Sequence, residues 1–439
     1  MLFKKHFFFL ILSSASFWFV FQEAYFALNI KLGVSPDEIH HYTLSNLYSQ
    51  TQSIPLKDTI STYQFGPVST TPYLYHLIMG KSLNLNVFHL QPLLFLRIFN
   101  IILSLISLYF FYQLIKLITK DKIIQVCSLI IQTNLLMYVF LSSMVSYDNL
   151  INLLSIISTF LLLKFIDKFK RIYLLLIILI TLLGTLTKFT YFPLVFIQSL
   201  ILSVYFKNYI NRQFLLKKLS TKEWLVIFPI IFLTIINLNF YLNNYINYKQ
   251  LDPSPEKVID QALLQKYNLQ FQRNQEAQET IKDRPLIKLN IFSKKYFYQT
   301  EGTIFGILGH INQIKYTNDL KPYNLLVIIS LILFLLKIKS ILKNKTITVL
   351  LIISVLYMMI VFVNNYYQYL TYRIFGLALQ GRYNFPVLPN LIIIFIYSLL
   401  SPFNKKIKIL ITLLISILFI TGGFFWFISK STPEWYINT

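Results

Sequence analysis

The chain has 439 residues, of which 56% are hydrophobic and only 13% charged, and its formal net charge is +23. A soluble domain carries roughly 25% charged residues, and one this apolar would leave wide hydrophobic patches in water. Composition therefore excludes a soluble globule and a disordered tail, and the single cysteine, Cys127, excludes a disulfide scaffold. What is left is a protein of many membrane spans.

A hydrocarbon layer takes roughly 20 apolar residues as a helix. In chain order the apolar runs between charge clusters fall at about 7–28, 93–118, 123–145, 149–166, 172–187, 190–206, 224–242, 323–338, 346–363, 384–400 and 407–428. The fifth and sixth are short and meet at Lys188. Basic clusters flank their far ends, with Lys168, Lys170 and Arg171 before them and Lys207, Arg212, Lys217 and Lys218 after. That pattern predicts a hairpin of two short helices with both clusters on one side of the membrane. About half of the basic residues lie in short links that alternate onto that side, with only Asp121, Asp167 and Glu223 as acids. The positive-inside rule makes this side cytoplasmic, and the remaining bases gather mainly in one loop long enough to translocate regardless of charge. The first helix has no small-residue cleavage site and reads as a retained anchor.

The expected fold is an all-α polytopic membrane protein of about eleven transmembrane helices, N-in and C-out. Two long outer loops, 29–92 and 243–322, carry surface helices. No internal repeat or linker divides residues 1–439, which read as one membrane domain. Orientation accounts for much of the +23, so nucleic acid is not needed as a partner.

Five of the six histidines (40, 41, 76, 89 and 310) lie on the outer side, where loops concentrate chemistry. Ser35-Pro36-Asp37-Glu38 spells a helix start, with Ser35 as N-cap and Glu38 closing a capping box. Apolar residues at 39, 42, 44, 47 and 48 then predict a weakly amphipathic surface helix. Asp37, His40 and His41 share one face at i, i+3 and i+4, a grouping suited to a general base or a divalent-metal site. A second surface helix is expected at 70–83, with Tyr73 and His76 at i, i+3; His76 there has the ordinary reading of an interfacial polar residue. Glu23 is the one acid well inside a span. An intramembrane carboxylate is a functional candidate by default, with a neutral Glu packed against Tyr or Asn as the alternative. The polar stretch 256–284 has partial helical periodicity and reads either as a cover over a cleft or as a solvated helix.

The segment PDEIHH directly after the first helix resembles the acidic motif of the GT-C superfamily of membrane glycosyltransferases. That group includes protein mannosyltransferases, aminoarabinose transferases acting on lipid A, and related bacterial families of unassigned substrate. Other segments are similar in the same order: TPYLYHLIMG, LRIFNIILSLISLYFFYQLIKLI, SYDNLINLLSIISTFLLLKF, LGTLTKFTYFPLVF, EGTIFGILGH and ALQGRYNFPVLPNL. The resemblance covers about 30–400, apart from much of 243–300.

It implies an inverting transfer of a sugar from a polyprenyl-phosphate carrier to a lipid, glycan or protein acceptor. The expected setting is the outer face of a bacterial cytoplasmic membrane, with membrane lipids as surroundings. Asp37 matches the first motif acid and is the expected general base. Glu38 matches the second acid. Asp148 matches an acid near the sugar or a metal, with helix capping as its plain alternative. Lys188 and Arg382, where helices meet the outer surface, are placed to meet the donor phosphate, an Arg being able to fork onto phosphate oxygens; their plain alternatives are a snorkelling Lys and an interfacial Arg. Arg97 and Arg373 are weaker candidates for the same role, and Gly381 would permit close backbone approach. A divalent ion, Mg²⁺ or Mn²⁺, beside Asp37 with His40 or His41 stays open. A polysaccharide polymerase or ligase using polyprenyl-linked glycans, and a membrane transporter, are the competing classes.

Overall fold

The computed structural model describes residues 2–209, 218–311, 313–314, 317–376 and 379–437. The expected basic residues Arg212 and Lys217 lie outside the described residues. Each expected span coincides with a helix or a bent helix pair. The first part of the chain forms α1 (Leu2–Asn29), the loop helices α2 (Glu38–Gln50) and α3 (Leu74–Leu83), then α4 (Pro92–Ile118), α5 (Lys122–Asn134), α6 (Leu136–Ser142), α7 (Tyr147–Lys168), α8 (Arg171–Thr187) and α9 (Phe192–Tyr209). The later spans are the helices Thr221–Tyr248, Thr317–Ile341, Lys345–Tyr372, Leu388–Leu400 and Lys405–Ile420. Among the described residues six helices are long and apolar enough to cross a membrane singly, and Arg171–Thr187, Phe189–Tyr205 and Leu388–Leu400 are shorter apolar helices. The chain is thus an all-α membrane protein.

Two expected spans differ in shape. The run 123–145 is not one rod: α5 and α6 are bent by 63° across Leu135, whose backbone is extended. The bend is held from outside, since Asn134 accepts a hydrogen bond from Trp18 Nε1 at 2.9 Å. A Cβ on Gly423 would lie 2.9 Å from the Asn134 carbonyl oxygen, so only glycine lets the last helix close on the break. The run 384–400 begins with a 3₁₀ turn, Gly381–Asn384, and its helix proper starts at Leu388.

Ion pairs mark one end of the bundle. Arg171 at the start of α8 forks onto Glu223 at the start of Thr221–Tyr248, with Nε to Oε1 at 2.8 Å. Lys408 at the start of Lys405–Ile420 reaches Asp121 at the start of α5, at 2.6 Å. The opposite end gathers the C-terminal ends of α1 and α8 and the N-terminal ends of α4 and α7. The segment after Lys430 returns to this end, where Ile437 N donates to Asn29 O and Lys31 N to Trp435 O. Between the ends, helices such as Thr221–Tyr248 turn Leu225, Phe228 and Phe232 outward, a surface that suits hydrocarbon as solvent.

The loop helix α2 does not start as its sequence suggests. Asp37 is the N-cap residue but makes no side-chain cap, Ser35 Oγ is without a partner, and Glu38 turns inward instead of closing a capping box. A true capping box forms at the same Ser-x-x-Glu spacing in Ser220–Glu223. The buried face of α2 is Glu38, His41, Leu44, Ser45 and Tyr48, whereas Ile39 is exposed. Of the apolar stripe read at 39, 42, 44, 47 and 48, Leu44 and Tyr48 are buried, Tyr42 and Leu47 half-buried and Ile39 exposed; the buried face also takes in Glu38 and His41 because Arg97 of α4 and His76 of α3 satisfy them. Helix α3 packs close against α2 because Gly80 has no Cβ; one would lie 2.5 Å from Ser45 O and 2.6 Å from Tyr48 Cβ. Leu44, Tyr48 and Tyr73 then seal this pair against Phe240 and Tyr241.

The polar stretch 256–284 folds into short helices, including Gln261–Tyr267 and Leu269–Glu279. It lies on the first loop, where Asn268 Nδ2 donates to Tyr63 O at 3.1 Å; beside it, Asn244 Nδ2 near the end of the helix Thr221–Tyr248 donates to Thr70 O at 3.0 Å. The two long loops therefore form one cap over one end of the helices.

Candidate functional site: a cluster of four charges beside three histidines

Four chain segments bring Asp37, Asp148, Lys188 and Arg382 together under this cap. Asp37 follows α1 in a left-handed conformation, φ 60°, which Asp tolerates better than most residues. Its backbone N–H donates to His310 Nε2 at 3.3 Å, and His310 N donates to Val34 O. Asp148 sits in the first turn of α7. It does not cap that helix, because Ser146 Oγ accepts from Asp148 N and leaves the carboxylate free to point elsewhere. The next residue, Asn149, donates to Asn100 Oδ1 and to the Leu141 and Met144 carbonyls, fixing the start of α7. Lys188 breaks the α8–α9 hairpin as expected; Gly184 makes room there for the Tyr191 ring, which a Cβ would meet at 2.3 Å. Arg382 is carried by the 3₁₀ turn. Gly381 does permit a close approach, but to the helix Leu289–Phe305, where Thr303 Oγ1 accepts from Gly381 N at 2.7 Å.

The charges pair in series. Lys188 Nζ donates to Asp148 Oδ1 at 2.8 Å, Arg382 Nη1 lies 3.6 Å from Asp148 Oδ2, and Arg382 Nη2 donates to Asp37 Oδ2 at 2.5 Å. Two carboxylates thus neutralise two cations. Arg382 and Asp148 are buried, while the Asp37 side chain is 46% exposed. Burial raises the Asp37 carboxyl, but the Arg382 guanidinium, with His40 and His310, outweighs it and holds Asp37 below its ordinary value. Arg382 is itself raised, its burial opposed by Asp148 and Asp37. Lys188 Nζ lies 4.1 Å over the Tyr147 ring and 5.5 Å over the Tyr383 ring, cation–π contacts that hold the ammonium over an aromatic floor.

Other expected candidates go elsewhere. Glu38 is not exposed to a ligand: it is fully buried and takes a bidentate fork from Arg97, Nε to Oε1 and Nη2 to Oε2, both 2.8 Å. Arg97 Nη1 also donates to the Ala27 and Ile30 carbonyls, and Val145 N to Glu38 Oε1. This pair ties α1, α2, α4 and the link between α6 and α7, and every nitrogen of the Arg97 guanidinium is taken up there. Arg373 donates to the Ile281 and Arg284 carbonyls and ties down the second loop. Glu23 is buried and accepts from Ser104 Oγ at 2.6 Å, not from Tyr or Asn; the structure does not bring it to the cluster.

The histidines regroup. His76 is buried in α3, not interfacial, and its Nε2 lies 2.9 Å from His41 Nδ1. One nitrogen each of His40, His41 and His76 lie within 4.8 Å of one another, a grouping able to hold a metal ion, and Asp37 is not part of it. Burial lowers all three imidazoles; for His41 the neighbouring His40, His76, Arg382 and Lys188 add to the effect. The His41 ring stands edge-on to Tyr147, centroids 4.2 Å apart, so the histidines adjoin the charge cluster.

His310, Tyr147, Tyr383 and Asp252 were not singled out by the sequence reading. His310 and Tyr383 carried a signal, since GILGH and QGRY stand in the segments that resemble the superfamily. Asp252 carried none: it stands in the second loop near Tyr147 and Tyr241, and partial burial by its surroundings pushes it up to about 6.

No protein-family model matches the chain, and no curated protein matches it. Among solved structures it is similar to the apo form of the oligosaccharyltransferase of Archaeoglobus fulgidus, with a TM-score of 0.49 and 13% sequence identity. The match covers 100% of this chain and 57% of that one, so the chain spans little more than half of that protein's length. A likeness at this level does not bear on chemistry.

Proposed function

We propose that this protein is an inverting glycosyltransferase, taking a sugar from a polyprenyl-phosphate carrier and delivering it to an acceptor hydroxyl at the outer face of a bacterial cytoplasmic membrane. The reading rests on one observation: a half-exposed carboxylate, Asp37, paired with the buried guanidinium of Arg382, beside Lys188. Its second support is the motif resemblance around these same residues.

In the reaction the bond between the anomeric carbon and the phosphate oxygen breaks, and the phosphate leaves with the electron pair. The acceptor oxygen bonds the anomeric carbon from the opposite face, and its proton passes to Asp37. Charge grows on the departing phosphate, so Arg382 and Lys188 stabilise the transition state more than the bound ground state. A donor phosphate competes with Asp37 for Arg382. Once Arg382 turns to the phosphate, the Asp37 carboxylate loses the partner that suppresses its basicity and becomes the better base.

An oxygen-seeking Mg²⁺ or Mn²⁺ fits poorly between Asp37 and Asp148, because Arg382 bridges the two carboxylates and Lys188 holds the second. No step is routed through such an ion. Transport is disfavoured by the position of these charges, which gather at helix ends and not at the bilayer midplane where transporters bind.

The test is sugar transfer in membrane vesicles supplied with polyprenyl-phosphate sugars. Asp37→Asn lowers turnover by about 10²–10⁴-fold, the usual worth of a general base, while donor binding persists. Arg382→Lys raises the donor KM. Full turnover in Asp37→Asn would sink the role given to this carboxylate.

A further inference from the structure

We infer that His40, His41 and His76 form a zinc-class metal site that clips α2 to α3. This inference stands apart from the sugar-transfer reading, since it needs no donor or acceptor.

The argument starts from the donor set. Three imidazole nitrogens suit zinc and its neighbours, whereas carboxylates and water suit magnesium and manganese. Zinc–nitrogen bonds of roughly 2.0–2.1 Å put tetrahedral ligand nitrogens roughly 3.3 Å apart. The His41–His76 pair is already at 2.9 Å, and all three nitrogens fall within 4.8 Å. Drawing the remaining separations in from within 4.8 Å to roughly 3.3 Å completes the triangle.

One further observation points to a ligand. A cavity of about 20 Å³ opens beside His40 and His76, lined also by Leu44, Tyr48, Phe65 and Tyr73. That is room for one water, which gives the metal its fourth ligand among side chains that offer few competing donors. The nearest cations, Arg382 and Lys188, are matched by Asp37 and Asp148, so no net positive charge opposes a dication.

The ligands come from two separate elements, so binding would lock the packing made possible by Gly80. A metal held only by the folded arrangement stabilises it by mass action.

The test uses the full chain in detergent, purified through a tag that contains no histidine. Metal content is measured first. The stripped protein is then titrated with Zn²⁺ against a chromophoric chelator, and in parallel with Mg²⁺ and Mn²⁺. The expected result is one equivalent of zinc, a thermal midpoint that rises with Zn²⁺ alone, and binding at least tenfold weaker in His76→Ala. Asp37→Asn keeps the metal. If His76→Ala does not fold, His40→Ala replaces it, because His40 is only partly buried; Co²⁺ bound to the unaltered protein must then show the visible bands of a tetrahedral nitrogen site. Substoichiometric zinc after titration, binding indifferent to these substitutions, or equal response to Mg²⁺ would overturn the site. None of these readings uses sugar transfer, so failure here leaves the transferase proposal standing, and failure there leaves this one.

Discussion

Asp37 and Glu38 are neighbours in sequence and have opposite fates. A left-handed turn at Asp37 leaves its side chain half-exposed beside Arg382, while Glu38 enters the protein and takes the Arg97 fork. The motif made both acids candidates, and only the partner from α4, 59 positions away in sequence, separates them. Removing one member of a buried pair leaves an uncompensated charge and costs about 3–5 kcal/mol. Arg97→Ala should therefore destabilise the protein by about that amount, and Glu38→Ala similarly. The double substitution should cost clearly less than the sum of the two, since the residues share one interaction. Unfolding in mixed micelles measures this; strict additivity would deny the coupling. Asp148 teaches a related lesson. As a first-turn Asp it had an ordinary capping role open to it, and Ser146 took that role, which freed the carboxylate for Lys188 and Arg382.

At the scale of elements, hydrophobic length marked the helices well because each span must bury its own backbone polar groups in a medium without water. The α8–α9 hairpin around Lys188 was legible from its flanking charges. The bend between α5 and α6 was not: nothing local at Leu135 breaks a helix, and Gly423 and Trp18, far along the chain in each direction, shape it. The start of α2 misled for the same reason, since the Ser-x-x-Glu signal is local and Arg97 is not. The α2–α3 pair depends on Gly80. Gly80→Val should push the two helices apart and separate His76 from His41, lowering the thermal midpoint and any sugar transfer together. Gly376→Ala is a control, since nothing lies within 4 Å of a Cβ there. An unchanged midpoint in Gly80→Val would show that the close contact is dispensable.

At the scale of the whole molecule, the Arg171–Glu223 and Lys408–Asp121 pairs mark one end, and the charge cluster, the joined loops and the returning C-terminal segment mark the other. With the N-terminus in the cytoplasm, Ser61, Gln275 and Thr432 face outward and Lys120 inward. All four are exposed, and the native Cys127 is buried, so single cysteines can be placed there without interference. A membrane-impermeant maleimide on intact cells should label Ser61→Cys, Gln275→Cys and Thr432→Cys, and Lys120→Cys only after permeabilisation. Labelling of Lys120→Cys in intact cells, or protection of the other three, would reverse the orientation.

Sequence alone determined the helical membrane class, the places of the spans and the expected side of the loops, because composition and charge between apolar runs are properties a chain carries before it folds. It also nominated Asp37, Asp148, Lys188 and Arg382, scattered over 345 positions. Only tertiary structure decided that these four meet, that Glu38 and Arg97 leave to hold the frame, and that His76 joins His40 and His41. Pairing of buried charges and imidazoles depends on which helix ends converge, and convergence is set by packing contacts that no local pattern records.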